Sequence, residues 1–151
     1  MHDLALHEDQ SELALDVRSK VLDLEQEARK LPQISLSTKH YFADGMYARE
    51  LARPAGTLIV GKTHRREHFY MVTHGAVAVV GDNGTQVYRA PSILVSKPGT
   101  KRAVLALEDS VCVTVHRIDL TDLDEIEKVL IEPEDAALFD ARNKLKVKEL
   151  I

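Results

Sequence analysis

The chain has 151 residues, of which 44% are apolar and 29% charged, a composition typical of a water-soluble globular protein. Its net charge of -4 argues against a nucleic-acid-binding surface, which would be strongly basic. The sequence contains neither the run of about 18 apolar residues that a membrane span needs nor the layout of a secretory signal. Its single cysteine, Cys112, excludes a disulfide framework, so the cytoplasm is the expected compartment.

The N-terminal part of the chain is predicted to be helical. From Ser11 onward, apolar residues recur at steps of three and four with charged residues between them. Polar capping residues before this run and Pro32 after it predict an amphipathic helix over about 9–31. Its apolar stripe is expected to pack on its own domain or, alternatively, on a partner chain.

The middle of the chain, about residues 40–118, is predicted to consist of short strands. Turn signals such as Asp82-Asn-Gly84 separate them, and one strand is expected to run from Phe69 to Val80. This spacing is typical of an antiparallel sandwich or barrel and leaves no room for crossover helices. The helical period returns over about 121–148, so we expect a single domain over 1–151, a β-barrel flanked by helices.

A polar stretch lies between two of these apolar strands. It contains Lys62, His64 and His68, together with two arginines and a glutamate. Polar side chains at the junction of buried strands are costly unless they pair with one another or bind something. The stretch therefore predicts a pocket.

The spacing of this stretch resembles the first sequence motif of small cupins. That motif is Gly, five residues, His, one residue, His, three or four residues, Glu, six residues, Gly. Here Gly56, Lys62, His64, His68 and Gly75 occupy the five fixed positions at matching intervals. Lys62 replaces the first His, and His68 stands at the position of the Glu.

The rest of the resemblance is weaker in residue type. Aligned on Gly99, the second cupin motif keeps little beyond that glycine and has Arg102 where the family has a metal-binding His. The resemblance implies a mainly β fold, a cupin-type jelly-roll β-barrel with an N-terminal helix and C-terminal helices. Segments 40–50, 61–68 and 95–102 also look like cupin-like proteins of tailed bacteriophages. That likeness implies a location in the host cytoplasm or the virion and brings no assigned activity.

The resemblance also implies a metal site inside the barrel. It makes His64 and His68 ligands of a divalent transition metal such as Fe, Mn, Ni or Zn. Two histidines hold a metal weakly, so a third ligand is needed. The candidates are His116, Glu67 and Tyr70, although Glu67 on a regular strand would face away from His68.

Two other interpretations of the same residues stay open. Lys62 and Arg102 across the barrel mouth, with Tyr70 nearby, would make a positive concavity for a carboxylate or a phosphate. These cations would also keep the histidines neutral. Alternatively, His64 and His68 simply flank a hairpin as solvated residues beside an exposed basic rim.

The leading functional hypothesis is a phage-encoded, small-ligand-binding cupin whose ligand is anionic, with or without a divalent metal. One alternative is a metal-dependent cupin enzyme, an isomerase, lyase or dioxygenase. Another is a structural or virion-associated scaffold. A homodimer or higher homo-oligomer is expected because sheet edges and an apolar helix stripe favour self-association. Neither a nucleic acid nor a membrane is expected as a partner.

Overall fold

The computed structural model describes residues 19–81, 84–133 and 141. Residues 19–29 are helical and are called α1, and a second helix, α2, spans Leu123–Leu130. Between them lie β1 (Thr38–Ala43), β2 (Met46–Arg53), β3 (Leu58–Val60), β4 (His68–His74), β5 (Ala76–Gly81), β6 (Gly84–Arg89), β7 (Ser92–Ser96), β8 (Ala103–Ala106) and β9 (Ser110–Arg117). No described helix is long and apolar enough to cross a membrane.

The strands form two antiparallel sheets that pack face to face. One has five strands in the order β1-β2-β9-β4-β7, and the other has four in the order β3-β8-β5-β6. Many neighbours within a sheet, such as β2 and β9, are far apart in sequence, which is the pattern of a jelly roll. The prediction of a mainly β jelly roll with flanking helices is confirmed.

The core of the barrel lies between the inner faces of the two sheets. Side chains alternate between the faces of a strand, so every second residue of β4 and β9 points inward. The buried members of this core are Tyr70, Val72, Val77, Val79, Val104 and Cys112. Burying one valine completely, as at Val77, stabilises the fold by about 1.5–3 kcal/mol.

The expected single strand from Phe69 to Val80 is wrong, because the chain turns a corner at Gly75. This glycine has φ of 78° and separates β4 of one sheet from β5 of the other. A Cβ atom at Gly75 would lie 2.3 Å from the carbonyl oxygen of Asp109. A residue without a side chain is therefore required where the chain passes between the sheets.

Helix α1 packs on its own chain. Val21 has no exposed surface, and Glu25 makes an ion pair of 3.0 Å with Lys101, whose side chain is only 6% exposed. In the described part of the predicted 9–31 helix, Val21 of the apolar stripe is therefore buried within the chain, whereas Leu31 at its end is 61% exposed. Residues 9–18 of that prediction lie outside the described residues.

Helix α2 begins where the sequence predicts a capped start. The Asp122 side chain accepts a hydrogen bond of 3.0 Å from the backbone N–H of Glu125. Its apolar residues Ile126 and Leu130 are buried in a second cluster that caps one end of the barrel. Beyond residue 133 the predicted helical region of 121–148 lies outside the described residues, apart from Ala141.

Candidate metal centre

Three histidines, His64, His68 and His116, converge inside the barrel. Their ring centroids are 4.2 Å apart for His68 and His116, 4.4 Å for His64 and His68, and 5.2 Å for His64 and His116. One ring nitrogen from each lies within 4.8 Å of the others. Three imidazoles at this separation can hold a metal ion.

Strand register brings two of these histidines together. In the antiparallel pairing of β4 with β9, Phe69 is opposite Val115, so the next step along the ladder sets His68 against His116. Both side chains point inward, with exposures of 7% and 4%. The third, His64, precedes β4 and forms an isolated β-bridge with Ile131, just after α2.

The segment that carries His64 is fixed by backbone hydrogen bonds to the end of α2. The N–H of Arg65 donates to the carbonyl oxygen of Leu130 at 2.8 Å, and that of Glu132 donates to Thr63 at 2.9 Å. Each such bond satisfies a buried backbone group that would otherwise be costly. The helix therefore positions the third imidazole although it contributes no ligand of its own.

The hydrogen bonds of the histidines suit metal binding. Nδ1 of His68 lies 3.0 Å from the carbonyl oxygen of Arg66, which can only accept, so Nδ1 carries the proton and donates it. The lone pair of His68 is then on Nε2, the usual metal-binding arrangement. Both ring nitrogens of His116 are buried without a partner. An orphaned imidazole beside two others fits a bound metal ion.

Burial keeps the three imidazoles neutral, as metal ligands must be. It lowers the pKa of His64 to about 3 and that of His116 to about 3, with further lowering from neighbouring His68 and Arg49. Burial likewise lowers the pKa of His68, with a smaller contribution from Arg102. At neutral pH the cluster therefore presents lone pairs rather than positive charge.

Two residues proposed from the sequence have partners away from the cluster. Lys62 makes a close ion pair with Glu127 of α2, so its charge is balanced locally. Glu67 lies on the surface, where its carboxylate is 2.8 Å from the ammonium of Lys97 and its side chain is 55% exposed. In the described structure Glu67 is not grouped with the three histidines.

Arg102 and Tyr70 lie next to each other in the interior. The Arg102 guanidinium donates a short hydrogen bond to Ser96 and lies 5.7 Å from the centre of the Tyr70 ring. The Tyr70 hydroxyl is buried and makes no hydrogen bond of ordinary geometry with a described residue, and the Cys112 thiol is the weakly polar group that interacts with it. Burial raises the pKa of Tyr70, so the phenol stays protonated and remains a potential donor to a ligand.

Sequence reasoning missed two interior arginines, Arg49 and Arg53 of β2. They share the inner face of this strand with Tyr47 and Leu51, both buried. Arg53 is 5% exposed, and two of its guanidinium nitrogens are buried without a partner. The alternation of β2 is the signal that could have located them, because every second residue shares the face of Leu51.

Three hydrogen-bonded side chains, those of Tyr47, His40 and Thr38, lie beside the cluster. The Tyr47 ring stacks near His116 with a centroid separation of 6.4 Å. Its hydroxyl lies 2.7 Å from Nδ1 of His40, whose Nε2 lies 2.9 Å from the hydroxyl of Thr38. Burial raises the pKa of Tyr47, so its hydroxyl keeps its proton.

No protein-family model matches this chain, and no curated protein does. Among solved structures, KdgF from Halomonas sp. matches with a TM-score of 0.51 at 16% identity, over 58% of this chain and 84% of its own. Salicylate 1,2-dioxygenase from Pseudaminobacter salicylatoxidans matches with a TM-score of 0.51 at 16% identity, over 70% of this chain and 33% of its own. A cupin superfamily protein from Desulfitobacterium hafniense matches with a TM-score of 0.49 at 10% identity, over 59% of this chain and 83% of its own.

At these identities the likeness is one of fold. The two antiparallel sheets, together with the likeness to KdgF, confirm the predicted mainly β jelly-roll barrel. Activity does not transfer at this distance, because one fold hosts many functions. The resemblance to proteins of tailed bacteriophages stays a prediction.

Proposed function

We propose that this protein binds a divalent transition metal, such as Fe, Mn, Ni or Zn, through His64, His68 and His116. The observation that carries the proposal is the convergence of three neutral imidazoles, two buried and one half-buried, each with a ring nitrogen within 4.8 Å of those of the others. Of these, His116 has no other partner for either nitrogen. A metal would satisfy a group that otherwise stays orphaned at a cost of about 1–3 kcal/mol.

A three-histidine set leaves coordination positions open for a small ligand. Structural metal sites are closed by four protein ligands, whereas three ligands leave room for water or substrate. When bound, the metal would supply Lewis acidity at those positions. We infer that the ligand is an anion, because Arg49 and Arg102 make the interior around the histidines electropositive.

The metal proposal is tested by the metal content of protein purified without a His tag or chelator. We expect about one ion per chain in the wild type and in His74→Ala, an exposed histidine that serves as the control. His64→Ala and His116→Ala should each lose most of the metal, as removal of one of three ligands predicts. Folding of each variant is checked by circular dichroism. Metal content that is negligible in the wild type, or that survives both substitutions, would refute the proposal.

A metal-dependent enzyme, an isomerase, lyase or dioxygenase, is the second candidate function. It is favoured by the hydrogen-bonded side chains of Tyr47, His40 and Thr38 beside His116, which offer a phenol and an imidazole near the cluster as acid–base groups. Oxygen uptake by the Fe(II)-loaded protein with aromatic carboxylates would test the dioxygenase case. If turnover is found, Tyr47→Phe should slow it while leaving metal content unchanged.

We also infer a homodimer formed through the outer face of the five-stranded sheet. Large apolar residues are exposed there on adjacent strands, with Phe69 of β4 opposite Val95 of β7 and Met71 opposite Ile93. Ile93 alone is 64% exposed, and monomers rarely leave such a contiguous patch uncovered. Light scattering on Ile93→Lys, against the wild type, tests this, and an unchanged mass would refute it.

A further inference from the structure

A cavity of about 470 Å³ lies beside the histidine cluster. It is enclosed by α1 and the segment after it, by β3, by the inner faces of β2 and β9, and by α2. His64 and His116 reach its wall. This volume is within the range of small-molecule pockets, so the cavity can hold more than water and a metal ion.

Most of the cavity wall is apolar. Its aliphatic members come from four separate elements and include Leu31, Ile34, Leu51, Leu58, Leu123 and Leu130. Two of them, Leu31 and Ile34, are also 61% and 50% exposed, so the apolar surface continues outward from the cavity to solvent. A purely polar ligand would leave this surface uncovered, whereas an apolar body would remove it from water.

The interior of the cavity also contains a positive charge without a bonded partner. Arg49 lies on the inner face of β2 and lines the cavity, and it makes no hydrogen bond or ion pair with any described residue. Glu127, the carboxylate that acts on it, is engaged by Lys62. Burial lowers the pKa of Arg49, which expresses the cost of keeping its charge there. Arg49 is half-buried, and a guanidinium that is partly removed from water in this way normally has a carboxylate or phosphate partner.

We propose that this cavity binds an amphipathic monocarboxylate. The carboxylate pairs with Arg49 next to His64 and His116, and the aliphatic or aromatic body packs on the apolar wall toward Leu31 and Ile34. Two other cations line the cavity, of which Lys62 is already neutralised by Glu127 and Arg29 belongs to α1 rather than to the sheet. A monoanion is favoured over a phosphate dianion because Arg49 is the one lining cation on the inner face of the sheet. The planar fork of one guanidinium matches one carboxylate.

This inference goes beyond the metal site, since it rests on Arg49 and the cavity wall. The test is calorimetric titration of octanoate into chelator-treated protein and, separately, into zinc-loaded protein. The comparison ligands are octanol, which carries no charge, and butyrate, which has a shorter apolar chain. Octanoate is expected to bind the wild type on the order of tenfold or more tighter than either ligand. Octanol lacks the carboxylate that pairs with Arg49, and butyrate lacks the long apolar chain that packs on the wall.

Variants of the protein separate the two halves of the site. Arg49→Met should lower the affinity for octanoate on the order of tenfold, to a value similar to the affinity for octanol. Arg89→Met, which removes an exposed arginine of β6, should leave binding unchanged. Ile34→Ser, at a half-exposed position, should lower the affinity for octanoate and leave the affinity for butyrate unchanged. If Arg49→Met does not fold, Arg49→Lys is used and should give an intermediate affinity.

The outcomes distinguish this inference from the metal proposal. Equal affinity of octanoate for the wild type and the Arg49 variant, or of octanoate and octanol for the wild type, would overturn it. Arg49-dependent binding of octanoate to a protein that takes up no zinc would support it and refute only the metal proposal.

Discussion

Replacing His116 by leucine should stabilise the metal-free protein and destabilise the metal-loaded one. The side chain is 4% exposed, and both ring nitrogens are buried without a partner. Leucine fills a similar space and has no polar atoms to leave unsatisfied. The same substitution removes one of three imidazoles from the proposed metal site, so its effect depends on whether metal is present.

The magnitude follows from opposing contributions. An unsatisfied buried polar group costs about 1–3 kcal/mol, and His116 has two. Against this, the imidazole packs on the rings of His64 and His68 with centroids 5.2 and 4.2 Å away, contacts of about 0.5–1.5 kcal/mol each. We therefore expect a net gain of about 1–2 kcal/mol without metal. Metal at a hundred times its dissociation constant stabilises the wild type by about 2.7 kcal/mol.

The measurement is urea denaturation of wild type and His116→Leu, each with chelator and with zinc. The variant should be the more stable protein in chelator and the less stable one in zinc. His74→Leu, at an exposed position, should change stability by less than about 0.5 kcal/mol in both. A His116→Leu effect of equal sign and size in both conditions would show that the imidazole is an ordinary core residue and that the reasoning is wrong.

Three further predictions concern stability. Because burial lowers the pKa of both His64 and His116 to about 3, the unfolded chain binds more protons below about pH 6.5. The free energy of unfolding of the metal-free protein should therefore be highest above that pH and fall by about 2 kcal/mol per histidine by pH 5. A free energy from urea denaturation that does not change with pH would contradict this. Gly75→Ala should cost at least about 3 kcal/mol, against about 1–2 kcal/mol for Gly56→Ala, since both have positive φ but only the first meets backbone at 2.3 Å. Equal shifts in melting temperature would argue against the clash. Tyr70→Phe should leave stability unchanged or raise it by up to about 1 kcal/mol, because the buried hydroxyl makes no hydrogen bond of ordinary geometry, and a clear loss would show that the contact with the Cys112 thiol stabilises the fold.

The strands could be predicted because turn chemistry and alternation are local. The Asp82-Asn-Gly84 turn signal and the valine alternation at 111, 113 and 115 each depend on residues only a few positions apart. The corner at Gly75 could not be found in this way. A glycine is required at the corner because the backbone of Asp109 approaches closely. Asp109 is more than thirty residues away, so a local sequence pattern does not include it.

The candidate site was only partly visible in the sequence. Motif spacing predicted His64 and His68 as metal ligands, because their positions are close along the chain. His116 and Arg49 are far away in sequence and reach the site through the pairing of β2, β9 and β4. Which partner a charged residue finds is also a tertiary property, as Lys62 shows by pairing with Glu127 of α2.

The position of His116 has a further physical consequence for the proposed metal site. Arg102, which the sequence resemblance set at a metal-ligand position, lies immediately before β8, and its carbonyl oxygen accepts a hydrogen bond of 2.9 Å from the N–H of Gly61. Here the imidazole comes from β9, which is paired on one side with β2 and on the other with β4. Strands held on both sides move less than loops, so two of the three imidazoles have fixed backbones. His64 lies outside the strands, and its segment is held by backbone hydrogen bonds to the end of α2. Weakening its attachment to α2, through the bonds of Arg65 and Glu132, should therefore lower metal affinity without removing any ligand.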